Sequence, residues 1–236
     1  MKTVNDIREY FKNELKEERF TTDKTGAQTI EMIGASFLAD EPSIFGTPSE
    51  KYIAAELAWY ESGSTNVNDI YGPERDAPAA WKYAADKHGN INSNYGHLIF
   101  SKKYHSQFAN AAKELIDNPD SRRAMMVYNR PSIWAEYDEN GKSDFICTNA
   151  VSYAIRDNKL HVVVQMRSND VVFGYKNDYA WARYVQDKLV RKINRHHRTF
   201  SDAWTVGQTL ALTAGDITWQ VMNLHCYERH FHLVKS

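Results

Sequence analysis

Residues 145–181 read FICTNAVSYAIRDNKLHVVVQMRSNDVVFGYKNDYAW, and this stretch decides the fold expected for the rest of the chain. It contains two runs rich in β-branched residues, 150–155 and 160–166, with the polar break 156–159 between them. Two such runs around a short polar break predict a β-hairpin. Because the end of the second strand of a hairpin lies beside the start of the first, Cys147 is expected to lie close to Arg167.

A nucleophilic thiol is one interpretation of Cys147, which is one of two cysteines in the chain. A nearby cation such as Arg167 lowers the pKa of a thiol and so favours the reactive thiolate. A lone cysteine is more often a small buried residue without a chemical role. The residues alone therefore leave both interpretations of Cys147 open.

Candidates for binding an anion lie on either side of the hairpin. The second run ends in Arg167-Ser168-Asn169-Asp170, and a turn-forming segment earlier in the chain leads into Arg122 and Arg123. Guanidinium groups bind phosphate through paired hydrogen bonds, so these arginines and Lys24 together suggest a mononucleotide phosphate site. Adjacent arginines alone are more typical of a solvated strand edge.

Glu56 is a carboxylate among apolar neighbours in a predicted helix that begins after Ser49 and ends before Gly63. If Glu56 faces the core, desolvation raises its pKa and suits it to proton transfer. The helical period does not decide between this orientation and a solvated one. The predicted apolar face of the helix consists of Tyr52, Ile53, Leu57 and Tyr60.

Hydrophobic periodicity predicts the other elements. Helices are predicted at 3–18, 49–61, 79–86, 104–116 and 179–193, and strands at 29–33, 124–128 and 216–225. Asn177 and Asp178 are expected to open the helix at 179–193. This mixture predicts an α+β fold with a substantial mixed or antiparallel sheet. At 236 residues, the chain is expected to form one domain.

Composition argues against several classes of protein. The formal net charge of −1 gives no overall field that attracts nucleic acid. No apolar run is long enough to span a bilayer, and two cysteines far apart in sequence fit a reduced, cytoplasmic setting. No metal is expected, since the spacing of the histidines and cysteine at 225–232 matches no standard zinc pattern.

Taken together, these segments resemble the thymidylate synthase superfamily over nearly the whole chain, and within it the deoxycytidylate hydroxymethylases of phages. Lys24 stands in place of the arginine in the first family motif. The matching motifs, in family order, are Asp23-Lys24-Thr25-Gly26, Glu56-Leu57-Ala58-Trp59, Tyr95-Gly96, Arg122-Arg123, Cys147, Arg167-Ser168-Asn169-Asp170 with Gly174, and His225-x-Tyr227. The resemblance implies one catalytic domain over residues 1–236, with a large mixed sheet, flanking helices and a sheet face at a dimer interface.

The resemblance also implies a role for each matching residue. The catalytic residues would be Cys147 as nucleophile, Asp178 as reader of the base, and Glu56 and Tyr95 near the water that reacts. The residues that bind the 5′-phosphate would be Lys24, Arg167, Ser168 and, from a partner chain of a homodimer, Arg122 and Arg123. Asn169 and Asp170 fall on the strand end that contacts nucleotide and pterin, and His225 and Tyr227 on the pair that binds the sugar hydroxyl.

The reaction implied is hydroxymethylation of dCMP. The Cys147 thiolate would add to C6, C5 would attack the one-carbon unit of the co-substrate 5,10-methylenetetrahydrofolate, and water would add to the resulting exocyclic methylene. Asp178 stands where a synthase has asparagine. Its carboxylate can accept from the C4 amine of cytosine and share a proton with N3. Thr148 and Ser152 also depart from the histidine and glutamine of a synthase.

Two other functions stay open at this point. One is an enzyme acting on uracil, either a dUMP hydroxymethylase or a thymidylate synthase. The other is a noncatalytic nucleotide- or RNA-binding relative, against which the set Glu56, Cys147, Arg167 and Asp178 argues. The chain extends only a short way past His225, so the family's closing C-terminal segment is expected to be reduced. The expected location is the cytoplasm, that of a host if a phage encodes the chain, with no membrane or nucleic-acid partner.

Overall fold

The computed structural model describes residues 1–22, 26–200 and 211–235, leaving out the side chains of 197–200. Its centre is a sheet of six strands in the order β1-β2-β6-β5-β4-β3. β5 and β6 pair in parallel, and the other neighbours are antiparallel. The strands are β1 Thr21–Thr22, β2 Gln28–Leu38, β3 Met125–Val127, β4 Thr148–Arg156, β5 Lys159–Asp170 and β6 Thr213–Tyr227. The predicted α+β fold with a mixed sheet is confirmed.

The helices include all five that hydrophobic periodicity predicts, with shifted ends. They are α1 Val4–Lys16, α2 Glu50–Ser62, α3 Ala79–Ala84, α4 Tyr95–Phe100, α5 Gln107–Asp117, α6 Ile133–Glu136, α7 Gly174–Phe200 and α8 Phe231–Val234. The two residues predicted to cap α2 are confirmed, because the Ser49 side chain accepts from the Tyr52 N–H and Gly63 ends the helix in the left-handed conformation. No helix among the described residues is both long and apolar enough to cross a membrane.

The predicted hairpin is formed by β4 and β5. Its two turn residues, Asp157 and Asn158, have positive φ angles of 50° and 56°, as a tight turn matched to the strand twist requires. The register pairs Arg156 with Lys159 at the turn and Thr148 with Met166 near the open end. This register brings the residues just before β4 beside those at the end of β5.

Two predicted details are wrong. Asn177 and Asp178 lie inside α7, which already begins at Gly174, because the Asp170 carboxylate accepts two backbone N–H groups and turns the chain directly after β5. The buried face of α2 also matches the predicted apolar one only at Tyr60. It contains Trp59, Tyr60 and the carboxylate Glu56, which is only 5% exposed.

The two faces of the sheet differ in cover. Alternate residues such as Val164 and Trp219 point into the core, where the helices pack. On the opposite face, cross-strand pairing aligns Val127, Ala150, Gln165, Gln220 and Ser36 in one row. Apolar side chains on that face stay open to solvent, with Met222 62% exposed and Met125 48% exposed.

Candidate active site

The open end of the hairpin brings the predicted nucleophile and its cation together. The Arg167 backbone N–H donates to the Cys147 carbonyl at 2.9 Å, and Arg167 Nη2 lies 3.6 Å from Cys147 Sγ. The guanidinium is held in place because its Nε donates to the Ile146 carbonyl at 3.1 Å and its plane lies over the Phe145 ring. The predicted proximity of Cys147 and Arg167 is confirmed.

The Cys147 thiol is nevertheless protonated in the free protein. Burial raises its pKa to about 11, and the charges of Asp178 and Asp144 raise it further, while Arg167 alone lowers it. Desolvation therefore outweighs the single cation at this position. Arg167 therefore stands beside a thiol that must lose its proton before it can act as a nucleophile.

Asp178 lies on the first turns of α7 with its carboxyl group turned into the protein. Asn169, next to the end of β5, donates from Nδ2 to Asp178 Oδ2 at 2.7 Å. The Trp219 indole N–H in turn donates to Asn169 Oδ1 at 3.2 Å. Burial raises the pKa of Asp178 to about 8, the charge of Glu56 adds to this, and the Asn169 hydrogen bond opposes it. A pKa near 8 lets the Asp178 carboxyl hold a proton near neutral pH and release it to a base.

Glu56 is a second carboxyl group near Asp178, and it is buried. Its Oε1 accepts from the Tyr52 hydroxyl, one turn earlier on α2, and from the Trp81 indole of α3 at 3.1 Å. Burial raises the pKa of Glu56 to about 7, although both hydrogen bonds oppose the shift. A carboxyl group with a pKa near neutrality can both accept and donate a proton at working pH.

Tyr95 connects these helices to the start of β4. Its hydroxyl accepts from Thr148 Oγ1 at 2.9 Å, and its ring stacks on Tyr60 with centroids 5.4 Å apart. The helix that carries it sits so close to α2 that a Cβ at Gly96 would lie 1.8 Å from the Tyr60 carbonyl oxygen. Burial raises the pKa of Tyr95 well above its usual value, and the charges of Asp178 and Cys147 add to this. Tyr95 is thus a neutral hydroxyl within the electrostatic reach of both groups.

The parallel pairing of β5 and β6 gathers further predicted residues at one sheet end. It pairs Asp170 with His225 and Ser168 with Asn223. The His225 ring is buried, which lowers its pKa, and it packs edge-on against Tyr227 at 4.7 Å. The register therefore places Ser168, Asp170, His225 and Tyr227 at the same end of the sheet as Cys147.

The two arginines of the double-arginine motif lie elsewhere in the chain. Arg122 and Arg123 are exposed just before β3, and Arg123 Nη2 forms an ion pair with Glu114 at 2.8 Å. Because the Ala124 carbonyl accepts from Tyr153, Arg123 lies alongside Ala154, roughly 20 Å along β4 from Cys147 at about 3.3 Å per residue. Within one chain these arginines do not reach the thiol. Lys24 lies outside the described residues.

Several contributors to the site were not predicted from the sequence. Tyr52 was assigned to an apolar face, although its position four residues before Glu56 is the helical spacing at which side chains meet. Trp81 and Trp219 carried no signal beyond their type, since their partners are far away in sequence. Within the described part of the chain, no three His, Cys, Asp or Glu side chains are grouped so that they could hold a metal ion.

Comparison with known proteins gives matches over nearly the full length. The model of the family described as thymidylate synthase matches residues 7–236. The chain is 50% identical over 232 residues to the deoxycytidylate 5-hydroxymethyltransferase of Enterobacteria phage T4, covering 98% of this chain and 89% of that protein. The proteins of the same name from Enterobacteria phages T2 and T6 match with the same identity and coverage.

Proposed function

The chain belongs to the thymidylate synthase family, and we propose that it is a deoxycytidylate 5-hydroxymethyltransferase that acts on dCMP. The observation that carries the proposal is the position of the Asp178 carboxyl, which accepts a hydrogen bond from Asn169 at 2.7 Å and lies close enough to Cys147 and Glu56 for their charges to interact. Cytosine presents an acceptor at N3 and an amine donor at C4. A carboxyl group complements this pair, since one oxygen can donate its proton while the other accepts from the amine.

Cys147 is the proposed nucleophile. The thiol would lose its proton to solvent, Arg167, 3.6 Å from the sulfur, would stabilise the resulting thiolate, and the sulfur would then bond to C6 of the base. As the bond forms, the electron pair of C5=C6 moves towards C4 and N3, and the proton of Asp178 would pass to N3. This transfer lets the thiolate add without leaving a negative charge on the base.

Glu56 is the proposed proton-transfer group for the late step, in which water adds to the exocyclic methylene, the displaced electron pair restores C5=C6, and the Cys147 sulfur leaves C6. Because its pKa is raised to about 7, Glu56 can take a proton from the attacking water at neutral pH. The Tyr52 hydroxyl and the Trp81 indole fix the side chain from one side of the carboxyl group. Tyr95, with a neutral hydroxyl oriented by Thr148, would complete the polar surface around the base.

Methylenetetrahydrofolate is the proposed co-substrate, and it supplies the one-carbon unit when bound. The residues at the end of β5 fit a flat pterin ring. Phe173 presents a ring that is 50% exposed, and the adjacent Asp170 carboxylate can accept from ring amine groups in addition to its two backbone donors. Ser168, Arg167 and Lys24 would hold the nucleotide phosphate, and His225 and Tyr227 the sugar hydroxyl.

The proposed homodimer supplies the remaining phosphate ligands. The solvent-open sheet face with Met125, Val127 and Met222 would be covered by the same face of a second copy. Because Arg122 and Arg123 lie at the wrong end of β4 to reach their own Cys147, they would bind phosphate in the partner's site.

Product analysis tests the proposed function. The purified chain is incubated with methylenetetrahydrofolate and, separately, dCMP, dUMP, CMP and UMP, and the products are identified by mass spectrometry. We expect dCMP to gain one CH2O unit. A product formed from dUMP alone, or the gain of a methyl group, would refute the proposal in favour of a uracil enzyme.

Complementation tests the shared site. Inactive Arg123→Ala chains mixed with inactive Cys147→Ser chains should regain activity, because each hybrid dimer contains one site with both residues intact. Glu114→Gln serves as a control, since it removes the ion pair of Arg123 within the chain but leaves the arginine. An active monomer in analytical ultracentrifugation at assay concentration would contradict the shared site.

A further inference from the structure

We infer that Asn169 is a positioning residue that stabilises the ionised form of Asp178, and that Trp219 fixes the Asn169 amide in the donating orientation. The inference deepens the proposed function, because it rests on Asp178 passing its proton to N3 of cytosine. Neither Asn169 nor Trp219 needs to touch the base in this role. They act through Asp178.

The orientation of the Asn169 amide follows from the chemistry of its neighbours. The indole N–H of Trp219 can only donate, so the atom of Asn169 that faces it at 3.2 Å must be the carbonyl oxygen. The NH2 group then faces Asp178, 2.7 Å from Oδ2. The reversed amide would place two donors together at one end and two acceptors at the other.

Packing leaves this arrangement little freedom. Asn169 is 4% exposed, and the Trp219 side chain is fully buried, with its ring edge-on to Tyr175 at 5.2 Å. A Cβ at position 174 would lie 2.9 Å from Asn169 Nδ2, so the glycine there allows the amide to approach α7. Water has little access to these atoms, and the geometry of the two hydrogen bonds is set by the protein.

The need for such a donor follows from the surroundings of Asp178. Burial and the carboxylates Glu56 and Asp170 all disfavour its ionised form, and the Asn169 hydrogen bond is the contact that favours it. The hydroxyl groups of Tyr60, Tyr95 and Tyr128 also lie within its electrostatic reach. Without Asn169, the carboxyl would hold its proton more tightly and transfer it less readily to N3, whose basicity is low.

The consequence is specific to cytosine. When Cys147 bonds to C6 of cytosine, the displaced electron pair ends on N3, which takes the proton from Asp178 and leaves a carboxylate. Uracil already carries a proton at N3, and its electron pair ends on O4. If the Asn169 hydrogen bond to ionised Asp178 is lost, the reaction of dCMP should therefore slow more than any residual reaction of dUMP.

The test uses the full chain and the variants Asn169→Leu and Trp219→Phe. The first removes the donor, and the second releases the amide so that its oxygen can turn towards Asp178. We expect kcat/KM for dCMP to fall about tenfold relative to that for dUMP, the effect of one hydrogen bond to a charged group. The alkaline limb of the pH profile for dCMP should also move to higher pH, because Asp178 would ionise later.

Matched variants separate this role from a structural one. Trp59→Phe also removes a buried indole donor, which binds the Asn66 carbonyl at 2.9 Å, and it should leave the alkaline limb in place. Asn169→Ser is smaller and polar but too short to reach either Asp178 or the Trp219 indole, and it replaces Asn169→Leu if that variant does not fold. Equal losses for both nucleotides with an unmoved limb would overturn the inference. A wild-type chain that acts on dUMP and not on dCMP would instead refute the proposed function.

Discussion

The thiol region and the carboxyl pocket of the site control charge in different ways. The thiol region consists of Cys147, Arg167 and the carbonyls at 145 and 146, and it is built within one hairpin around a full positive charge. The carboxyl pocket consists of Glu56 and Asp178 with neutral donors from α2, α3 and β5. In both regions burial decides the protonation state. The comparison shows that proximity of a partner, whether charged or neutral, does not by itself ionise a buried group.

Loss of the thiol should have the largest effect on activity. Cys147→Ser should lower turnover by about 10³-fold or more, because no other group takes over the bond to C6. Turnover and tritium release from C5 of labelled dCMP measure the loss. Cys226 is the matched control, since it is the other free cysteine and is fully buried on β6. Cys226→Ser should keep most activity, and comparable losses from both changes would refute the assignment of the nucleophile.

Glu56→Gln should have the next largest effect and should show that the carboxyl pocket acts later than the thiol region. The amide keeps the shape but accepts no proton, so formation of hydroxymethylated product should fall about 10²-fold. Release of the C5 proton should fall less. Glu61→Gln on the same helix is the control, because Glu61 is paired with Lys188 at the surface. Equal losses in both assays would place Glu56 in the early proton transfers instead.

Asp178→Asn should alter the choice of base by a smaller factor. The amide has no acidic proton that it could transfer to N3 of cytosine. Its NH2 and carbonyl groups can instead form hydrogen bonds with O4 and N3–H of uracil. We expect the ratio of kcat/KM for dCMP to that for dUMP to fall by about one to two decades, the typical effect of a mismatched buried polar contact. The ratio is measured for both nucleotides at saturating folate. A ratio that does not change would show that Asp178 does not read the base.

The same two regions differ in how far the sequence predicted them. The register that joins Cys147 to Arg167 follows from alternation in two neighbouring strands and a two-residue turn, all of it local. The ends of α2 follow likewise from Ser49 and Gly63. The burial of Glu56 does not follow, because polar and apolar residues both occur on the face that packs. The contact of Asn169 with Trp219 depends on the parallel pairing of β5 with β6, which no local pattern specifies. Long-range burial was therefore the part that the sequence left open.

The last prediction concerns the stability of the folded protein rather than its activity. The carboxyl pocket and the thiol region should change stability in different pH ranges. The folded protein raises the pKa of Glu56 from 4.5 to about 7 and that of Asp178 from 3.8 to about 8, so it binds more protons than the unfolded chain between these values. Their contribution to stability is complete below about pH 4 and is lost as the pH rises to about 8. The contribution of Cys147 is lost only between about pH 9 and 11, since its pKa rises from 9.0 to about 11.

The measurement is the melting temperature between pH 5 and 8 for wild type and for the double variant Glu56→Gln, Asp178→Asn. Buried histidines such as His225, whose pKa is lowered, change stability in the opposite sense, so the difference between the two proteins is the informative quantity. Wild type should lose stability relative to the double variant as the pH rises, by on the order of ten degrees, since each pH unit over which a group is protonated only in the folded protein costs about 1.4 kcal/mol and 1 kcal/mol corresponds to about 2–4 °C in a chain of this size. Cys147→Ser should leave the pH dependence of the melting temperature the same as in wild type in this range. Parallel curves for wild type and the double variant would mean that neither carboxyl group is protonated in the folded protein at neutral pH, and proton transfer from Asp178 to N3 would then have to be abandoned.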